Sequence, residues 1–207
     1  MIRNIVFDIG QVLAHFRWKE YIDDFHLDSD TTKKLIYATV ENIDHWSLHD
    51  RGAISDEEFI TLCVERAPEI EKEIRMFFEQ IEHIVVEYDY AAHLVKQLKK
   101  NGYHVYLLSN YGNTTFQFAK KKFEFLNFVD GGVISYEVKM IKPEPEIYKY
   151  LLDKYKINPE ETVFLDDRLD NIEAAKECGF HTIHFVDYKQ GMKELEALQV
   201  NLEGIVY

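Results

Sequence analysis

The stretch YAAHLVKQLKKNGYHVYLLSN, residues 90–110, joins a helical pattern to a strand pattern. Its first half carries apolar residues at helical spacing, namely Ala92, Leu94, Val95 and Leu98. An Asn-Gly dipeptide then provides the residue types that commonly end a helix. The run YHVYLLS that follows is apolar at nearly every position, which is typical of a strand covered on both faces. A helix followed directly by a buried strand is the unit from which parallel α/β sheets are built.

Four further runs have the same strand character: IRNIVF at 2–7, GGVIS at 131–135, ETVFLD at 161–166 and HTIHFV at 181–186. Helical patterns separate the runs that follow residue 100. Strand runs that alternate with helical patterns indicate crossover connections, and therefore parallel strands. The sequence predicts an α/β fold with a parallel central sheet.

The segment 17–88 contains several amphipathic helical stretches but no comparable strand run. One of these stretches, SDEEFITLCVERA, has Ser55 and Glu58 at the spacing of a capping box. The segment is much longer than an ordinary crossover. We therefore expect residues 17–88 to form an inserted helical subdomain, and residues 1–16 and 89–207 to form the core.

Composition and charge narrow the class of partner. The formal net charge of -13 repels nucleic acid and anionic membranes, so a small ligand is the expected partner. The hydrophobic content of 46% is distributed in short runs, and no run approaches the roughly 18 apolar residues of a membrane span. Arg3 and Asp8 interrupt the region where a secretion signal would begin. The sequence thus predicts a cytoplasmic protein.

Histidines and cysteines do not form a metal or redox motif. The spacing of His45 and His49 suits zinc, but the glutamate of a metalloprotease motif is replaced by tryptophan. We expect both histidines to be partly exposed residues of the insert. Cys63 and Cys178 are far apart and match no zinc or redox spacing, so we expect two buried thiols.

Polar side chains follow four of the predicted strands at the point where each strand ends. They are Asp8, the pair Ser109 and Asn110, Lys142 after a short loop, and the pair Asp166 and Asp167. Taken singly, these residues are also compatible with turns, helix caps or solvated charges. Because parallel strands bind ligands at their carboxyl ends, we expect the four groups to share one site.

Together these residues suit the transfer of a phosphoryl group. A carboxylate can attack phosphorus and form an aspartyl phosphate, but the repulsion between the two anions must first be offset. Mg²⁺ provides that offset when one or two carboxylates and a carbonyl hold it beside the phosphate. The Ser109 hydroxyl, the Lys142 ammonium and backbone N–H groups can bind the phosphate oxygens as charge spreads over them.

The motifs of this chain resemble those of the haloacid dehalogenase-like hydrolase superfamily. VFDIGQVL, LLSN, IKPEPEIY and VFLDDRLDNIEAAKECGF are similar to its four motifs and occur in the same order. The fourth is the most specific of them. The resemblance implies a Rossmann-like core, and it implies that the insert is the helical cap that closes over a small substrate. FDIGQV followed by DDRLDN is closest to the branch that contains bacterial sugar-phosphate phosphatases, including glucose-1-phosphate phosphatase.

The resemblance also implies roles for individual residues. Asp8 corresponds to the nucleophile, and the Mg²⁺ ligands correspond to Asp8, the Gly10 carbonyl, Asp167 and, directly or through water, Asp166. Ser109 and Lys142 correspond to phosphate-binding residues, with Asn110 beside them as a further substrate-binding residue. Asn171 corresponds to a residue that orients the water shell of the metal.

Gly10 departs from the family pattern. Most phosphatases of the family have a second aspartate here, which protonates the leaving group and then activates water. The loss of such a general acid and base typically slows a reaction by about 10²–10⁴-fold without preventing nucleophilic attack. Another proton donor, a bound water or a good leaving group must replace it, and His15, Arg17 and residues of the cap are candidates.

These observations predict a Mg²⁺-dependent phosphatase that hydrolyses a small phosphorylated metabolite, such as a sugar phosphate, with Asp8 and Lys142 as its catalytic residues. One alternative is a metal-independent haloacid dehalogenase, although Asp166 and Asp167 would then place unneutralised charge beside an anionic substrate. A second alternative is a binding module that retains affinity for Mg²⁺ and phosphate but lacks turnover because of Gly10.

Overall fold

The computed structural model describes residues 1–207, and a five-stranded parallel sheet forms its centre. The strands are β1 (Asn4–Phe7), β2 (Ala14–Phe16), β3 (Val85–Glu87), β4 (His104–Ser109), β5 (Gly131–Ile134), β6 (Thr162–Asp166) and β7 (His181–His184). The order in the central sheet is β5-β4-β1-β6-β7, and every neighbouring pair is parallel. All five predicted strand runs occur in this sheet.

Eleven α-helices accompany the strands. They are α1 (Trp18–Asp23), α2 (Ser29–Ala38), α3 (Ile43–Asp50), α4 (Asp56–Arg66), α5 (Glu71–Glu79), α6 (Ala91–Lys100), α7 (Asn113–Lys122), α8 (Ser135–Val138), α9 (Pro145–Tyr155), α10 (Leu169–Glu177) and α11 (Tyr188–Ala197). The first five lie within the predicted insert. None of the eleven has the length and apolar character needed to cross a bilayer.

The central sheet is buried on both faces because its strand residues alternate between two hydrophobic clusters. Ile5 and Phe7 of β1 belong to the cluster that contains apolar residues of α6 and α11. Val6 lies between them in the sequence and belongs to the opposite cluster, with residues of α9 and α10. Continuous apolar strands thus meet helices on each side, and the fold-class prediction is confirmed.

The helical insert has a hydrophobic cluster of its own, with 12 buried residues between Tyr21 and Ile84. Phe59, Ile74 and Phe77 are among its fully buried members. An inserted subdomain requires a hydrophobic cluster of its own. This cluster supports the boundaries at residues 17 and 89, which remain a prediction.

A two-stranded sheet was not predicted from the sequence. β2 and β3 pair antiparallel at the point where the chain enters and leaves the insert, with His15 opposite Val86. Each strand has three residues, which is too short for an alternating pattern to stand out from its surroundings. The two crossings between core and insert are thereby hydrogen-bonded to each other.

The predicted capping box at the start of α4 is present. Glu58 donates its backbone N–H to the Ser55 hydroxyl, and the Glu58 carboxylate accepts the Ser55 backbone N–H. We expect Ser55→Ala to lower the free energy of unfolding by about 1 kcal/mol, because the Glu58 N–H loses its acceptor and the Glu58 carboxylate loses one of its two donors. Urea unfolding of the purified variant measures this.

Thr61→Ala is the matched control on the same helix. Its hydroxyl only donates to the Glu57 carbonyl one turn earlier, and alanine is the better helix former. We expect the control to change the free energy of unfolding by less than about 0.5 kcal/mol. Equal losses in the two variants would show that the capping box does not stabilise α4.

Candidate active site

The candidate site lies where the strand order of the sheet reverses. From β1 the chain continues to β4 and β5 on one side, and it returns to β6 on the other side of β1. A crevice forms outside the carboxyl ends of the strands at such a point. Asp8 directly follows β1, and Asp166 is the last residue of the neighbouring strand β6. The topology therefore brings these two carboxylates together.

Lys142 joins the two carboxylates. Its Nζ lies 2.9 Å from Asp8 Oδ1 and 2.6 Å from Asp166 Oδ2. The Lys142 and Asp166 side chains are 1% and 0% exposed, so neither charge is solvated. Burial by itself would lower the pKa of Lys142, but the attraction of Asp166 and Asp8 raises that pKa above its usual value. The lysine is thus held as a buried cation.

Asp8 is held in place by its own backbone and by Lys142. The backbone N–H of Ile9 donates to Asp8 Oδ1 at 2.7 Å, the same oxygen that contacts Lys142. Burial raises the pKa of Asp8 to about 6, and repulsion from Asp166 contributes to the increase. Lys142 and the hydroxyl of Ser109, which ends the adjacent strand β4, act in the opposite direction.

The carboxylates of Asp166 and Asp167 differ in the number of hydrogen bonds and ion pairs that they receive from the protein. Asp166 accepts the backbone N–H of Arg168 at 2.8 Å, and Asn171 Nδ2 lies 3.0 Å from each of its oxygens. The Asp167 side chain forms no ion pair and accepts no hydrogen bond from another side chain. Burial and the neighbouring Asp166 both raise the pKa of Asp167. Lys142 and Arg168 act in the opposite direction, but neither forms an ion pair with Asp167, which is therefore the one carboxylate of the three without an ion-pair partner.

One carboxylate oxygen from each of Asp8, Asp166 and Asp167 lies within 4.8 Å of the other two. Three carboxylates against one lysine leave an excess of two negative charges in a mostly buried position. The Gly10 carbonyl accepts no hydrogen bond from the protein, so an oxygen donor remains available next to Asp8. Oxygen donors with this excess charge fit a hard divalent cation such as Mg²⁺.

The loop that carries Lys142 is fixed by Asn110. Asn110 Oδ1 accepts the backbone N–H of Lys142 at 2.8 Å, and its Nδ2 donates to the Lys142 carbonyl at 3.0 Å. This reciprocal pair uses both ends of the amide. Asn110 therefore positions Lys142, whereas its expected contact with substrate remains a prediction.

There is open space above Gly10. A Cβ built on Gly10 has no other atom within 4 Å. Gln11 next to it adopts a φ of 56°, and its side-chain oxygen accepts the Tyr88 hydroxyl at 3.2 Å. The loop after β1 thus has room for a Cβ at position 10, and the Gln11 side chain binds the chain segment that leaves the insert.

The two named candidates for a substitute proton donor differ in their surroundings. The Arg17 guanidinium binds the Asp24 carboxylate at 2.9 Å and donates to the His83 carbonyl at 3.3 Å, so it is already occupied. His15 is half-buried, and its ring stacks on Tyr88 at a centroid distance of 5.8 Å. His15 is the less constrained of the two.

Two functional contacts were missed by sequence reasoning. The Ile9 N–H holds the Asp8 carboxylate, and a backbone donor leaves no signal in residue type. The amide of Asn171 donates directly to Asp166, whereas its role in orienting water around a metal stays a prediction. Its position one helical turn beyond Asp167 was the available signal, because the first turn of α10 lies beside the end of β6.

Comparisons with known proteins identify the family of this chain. The model of the haloacid dehalogenase-like hydrolase family matches residues 2–179. A D-ribitol-5-phosphate phosphatase of Bacteroides thetaiotaomicron is 29% identical over 198 residues, which cover 88% of this chain and 91% of that protein. A sesquiterpene phosphatase of Aspergillus oryzae is 27% identical over 193 residues, which cover 93% of this chain and 94% of that protein.

Among solved structures, a HAD family enzyme of Bacteroides thetaiotaomicron in complex with magnesium and inorganic phosphate has a TM-score of 0.68 and 27% identity. The match covers 88% of this chain and 93% of that chain. The family model, the fold and the order of the four motifs all agree. The chain belongs to the haloacid dehalogenase-like hydrolase family.

Proposed function

We propose that this protein is a Mg²⁺-dependent phosphatase that hydrolyses a small phosphorylated metabolite through an aspartyl phosphate at Asp8. The observation that carries the proposal is the buried cluster of three carboxylates that share one ammonium, with the Asp8 carboxylate beside Ser109 and Lys142. A hydrolase that handles an anionic ester needs both a nucleophile and positive charge around it.

Asp8 acts as the nucleophile through Oδ2. Both Lys142 and the Ile9 N–H contact Oδ1, which fixes the orientation of the carboxylate and leaves attack to the other oxygen. A bond forms between Oδ2 and phosphorus while the bond from phosphorus to the ester oxygen breaks. The departing oxygen takes a proton from a water molecule, because position 10 provides no acid, and this leaves a hydroxide. The hydroxide attacks the phosphorus of the aspartyl phosphate while the bond from phosphorus to Asp8 Oδ2 breaks, which releases inorganic phosphate and restores the Asp8 carboxylate.

Lys142 and Ser109 bind the transferred phosphoryl group. The Lys142 ammonium contacts Asp8 and therefore lies where the repulsion between carboxylate and phosphate is greatest. Asp8, the Gly10 carbonyl and Asp167 would hold Mg²⁺, with Asp166 as a further direct or water-mediated ligand. When bound, Mg²⁺ neutralises charge on the phosphate and on the carboxylates.

We favour a phosphate ester over a haloacid because the charge excess at the site fits a divalent cation, which a metal-independent dehalogenase does not use. Three carboxylates and one lysine would repel the carboxylate of a haloacid unless a cation were present. The two relatives described above carry phosphatase names, and one of them acts on a pentitol phosphate. These names support a phosphorylated metabolite, and we propose a sugar phosphate or polyol phosphate as the substrate class.

Asp8→Asn removes the nucleophile with little change of shape. We expect at least about a 10³-fold lower rate of p-nitrophenyl phosphate hydrolysis with Mg²⁺ present. Asp153→Asn, an exposed change of the same kind on α9, serves as the control and is expected to retain the parent rate. Turnover in Asp8→Asn comparable to that of the parent would contradict the covalent mechanism, and no turnover in the parent would favour a binding module.

Asp167→Ala removes the one carboxylate of the three that has no ion-pair partner. We expect the dissociation constant for Mg²⁺, measured by calorimetric titration, to rise at least about tenfold. Asp170→Ala is the matched control three residues later, because its carboxylate is paired with Arg168 at 2.7 Å on the exposed start of α10. Identical Mg²⁺ titrations for the two variants would show that the metal is bound elsewhere.

Gly10→Asp tests the missing acid and base. A Cβ at position 10 meets no atom outside its two chain neighbours within 4 Å, so the first atom of the new side chain fits without a clash. General acid catalysis helps poor leaving groups most, so we expect kcat/KM for an alkyl phosphate to increase more than kcat/KM for p-nitrophenyl phosphate, with a relative gain of at least about tenfold. Equal changes for the two substrates would show that another residue already has the acid and base role.

A further inference from the structure

One segment of the helical insert is attached to the core close to Lys142. We call residues 50–56, which join α3 to α4, the docking turn. The Ser135 hydroxyl donates to the Asp50 carbonyl at 2.6 Å, and the Lys139 ammonium donates to the Gly52 carbonyl. These contacts attach the backbone of the docking turn to α8 and to the residue that follows α8.

The docking turn fits the core tightly. Gly52 has a φ of +65°, and a Cβ there would lie 2.6 Å from Lys139 Nζ and 3.1 Å from the Tyr136 carbonyl oxygen. On the core side, a Cβ at Gly112 would lie 2.4 Å from the His49 ring. His49 is buried, contrary to the expectation of partial exposure, and its Nε2 lies 2.7 Å from Asp56. Small residues on both sides therefore permit this close approach.

Arg51 extends from the docking turn to the loop that carries Lys142. Its guanidinium forms a two-pronged ion pair with Glu144, with Nη1 2.9 Å from Oε2 and Nη2 bonded to Oε1. The same Nη1 donates to the Lys139 carbonyl at 3.3 Å. The hydrogen bond from Arg51 holds the pKa of Glu144 below its usual value. Two parallel bonds fix the orientation of both side chains, which a single contact would not do.

Glu144 is two residues beyond Lys142, and its carboxylate also accepts the Ile141 N–H at 3.4 Å. The segment 141–144 is therefore held from two directions. Asn110 of the core binds the backbone of Lys142, and Arg51 of the insert binds Glu144. A change in the position of the docking turn would be transmitted to the backbone that carries the Lys142 ammonium.

We propose that Arg51 is a positioning residue, which couples docking of the helical insert to the placement of Lys142 by binding Glu144. The proposal rests on the proposed phosphatase function, in which Lys142 binds the phosphoryl group. When the insert is docked, Arg51 holds the Lys142 loop in its working position. When the insert moves away, the loop loses one of its two supports and binds phosphate less tightly.

Two other roles for Arg51 give different expectations. An exposed ion pair without a functional role would contribute little to stability and nothing to phosphate binding. An arginine that contacts the substrate directly would act without Glu144, so that removal of Glu144 would be harmless. Only a positioning role makes the effects of the two residues depend on each other.

The test is a double-mutant cycle of Arg51→Gln, Glu144→Gln and the double variant. The first measurement is the affinity for inorganic phosphate with saturating Mg²⁺ by calorimetry, which does not require turnover. The second is kcat/KM for p-nitrophenyl phosphate. The third is amide hydrogen exchange in residues 50–56 and 141–147. Arg75→Gln is the matched control, because Arg75 pairs with Glu71 on α5 of the insert.

We expect each single variant to weaken phosphate binding and to lower kcat/KM about fivefold, as for the loss of one well-oriented ion pair. We expect the double variant to be no worse than either single variant, and amide exchange to increase in both segments. Arg51→Lys should recover only part of the loss, because an ammonium cannot make both bonds. Arg75→Gln should match the parent.

Several results would overturn the proposal. Additive losses of phosphate affinity in the double variant, or an effect of Arg51→Gln without an effect of Glu144→Gln, would show that Arg51 contacts the substrate directly. Faster amide exchange with unchanged phosphate affinity would show that the Arg51–Glu144 ion pair is a structural contact only. If the parent binds phosphate but has no turnover, the phosphatase function fails while the binding cycle still decides the role of Arg51. If the parent does not bind phosphate, both proposals fail.

Discussion

The site depends on one buried ammonium between two carboxylates. Without Lys142, the carboxylates of Asp8 and Asp166 would be two neighbouring negative charges that almost no solvent reaches. Such an arrangement is strongly unfavourable. With Lys142 present, Asp8, Asp166 and Asp167 still leave an excess of two negative charges, and this excess fits a divalent cation. The hydrogen bonds of Asn110 and Asn171 fix the positions of the loop that carries Lys142 and of the Asp166 carboxylate, respectively.

The role of Gly10 follows from the same balance of charge. A fourth carboxylate beside Asp8 would increase the negative excess of the site before a metal or substrate enters. Glycine keeps only the backbone carbonyl, which can serve as an oxygen donor without adding charge. The space above it is then available to water or to the leaving group of the substrate. Position 10 therefore carries no acidic or basic side chain, and the space around its Cα is open.

The central sheet and the residues at its edge could be predicted from the sequence, because both depend on local pattern. Apolar runs predicted all five strands, and parallel order requires that Asp8, Ser109 and Asp166 lie at one edge. Contacts between distant segments could not be predicted, since nothing local specifies them. The pairing of β2 with β3, the reciprocal bonds of Asn110 with the backbone of Lys142, and the burial of His49 all depend on tertiary packing.

The position of β6 in the sheet has a consequence for synthesis of the chain. The side chain of Asn4 at the start of β1 donates to Thr162 at the start of β6, across a sequence separation of 158 residues. The central strand of the sheet therefore has only one of its two neighbours until most of the polypeptide has left the ribosome. During that time β1 presents an unpaired apolar edge, and Asp8 lacks its neighbour Asp166. Chaperone binding to the nascent chain should thus be greatest before β6 emerges, and a ribosome that stalls before that point leaves a fragment prone to aggregation.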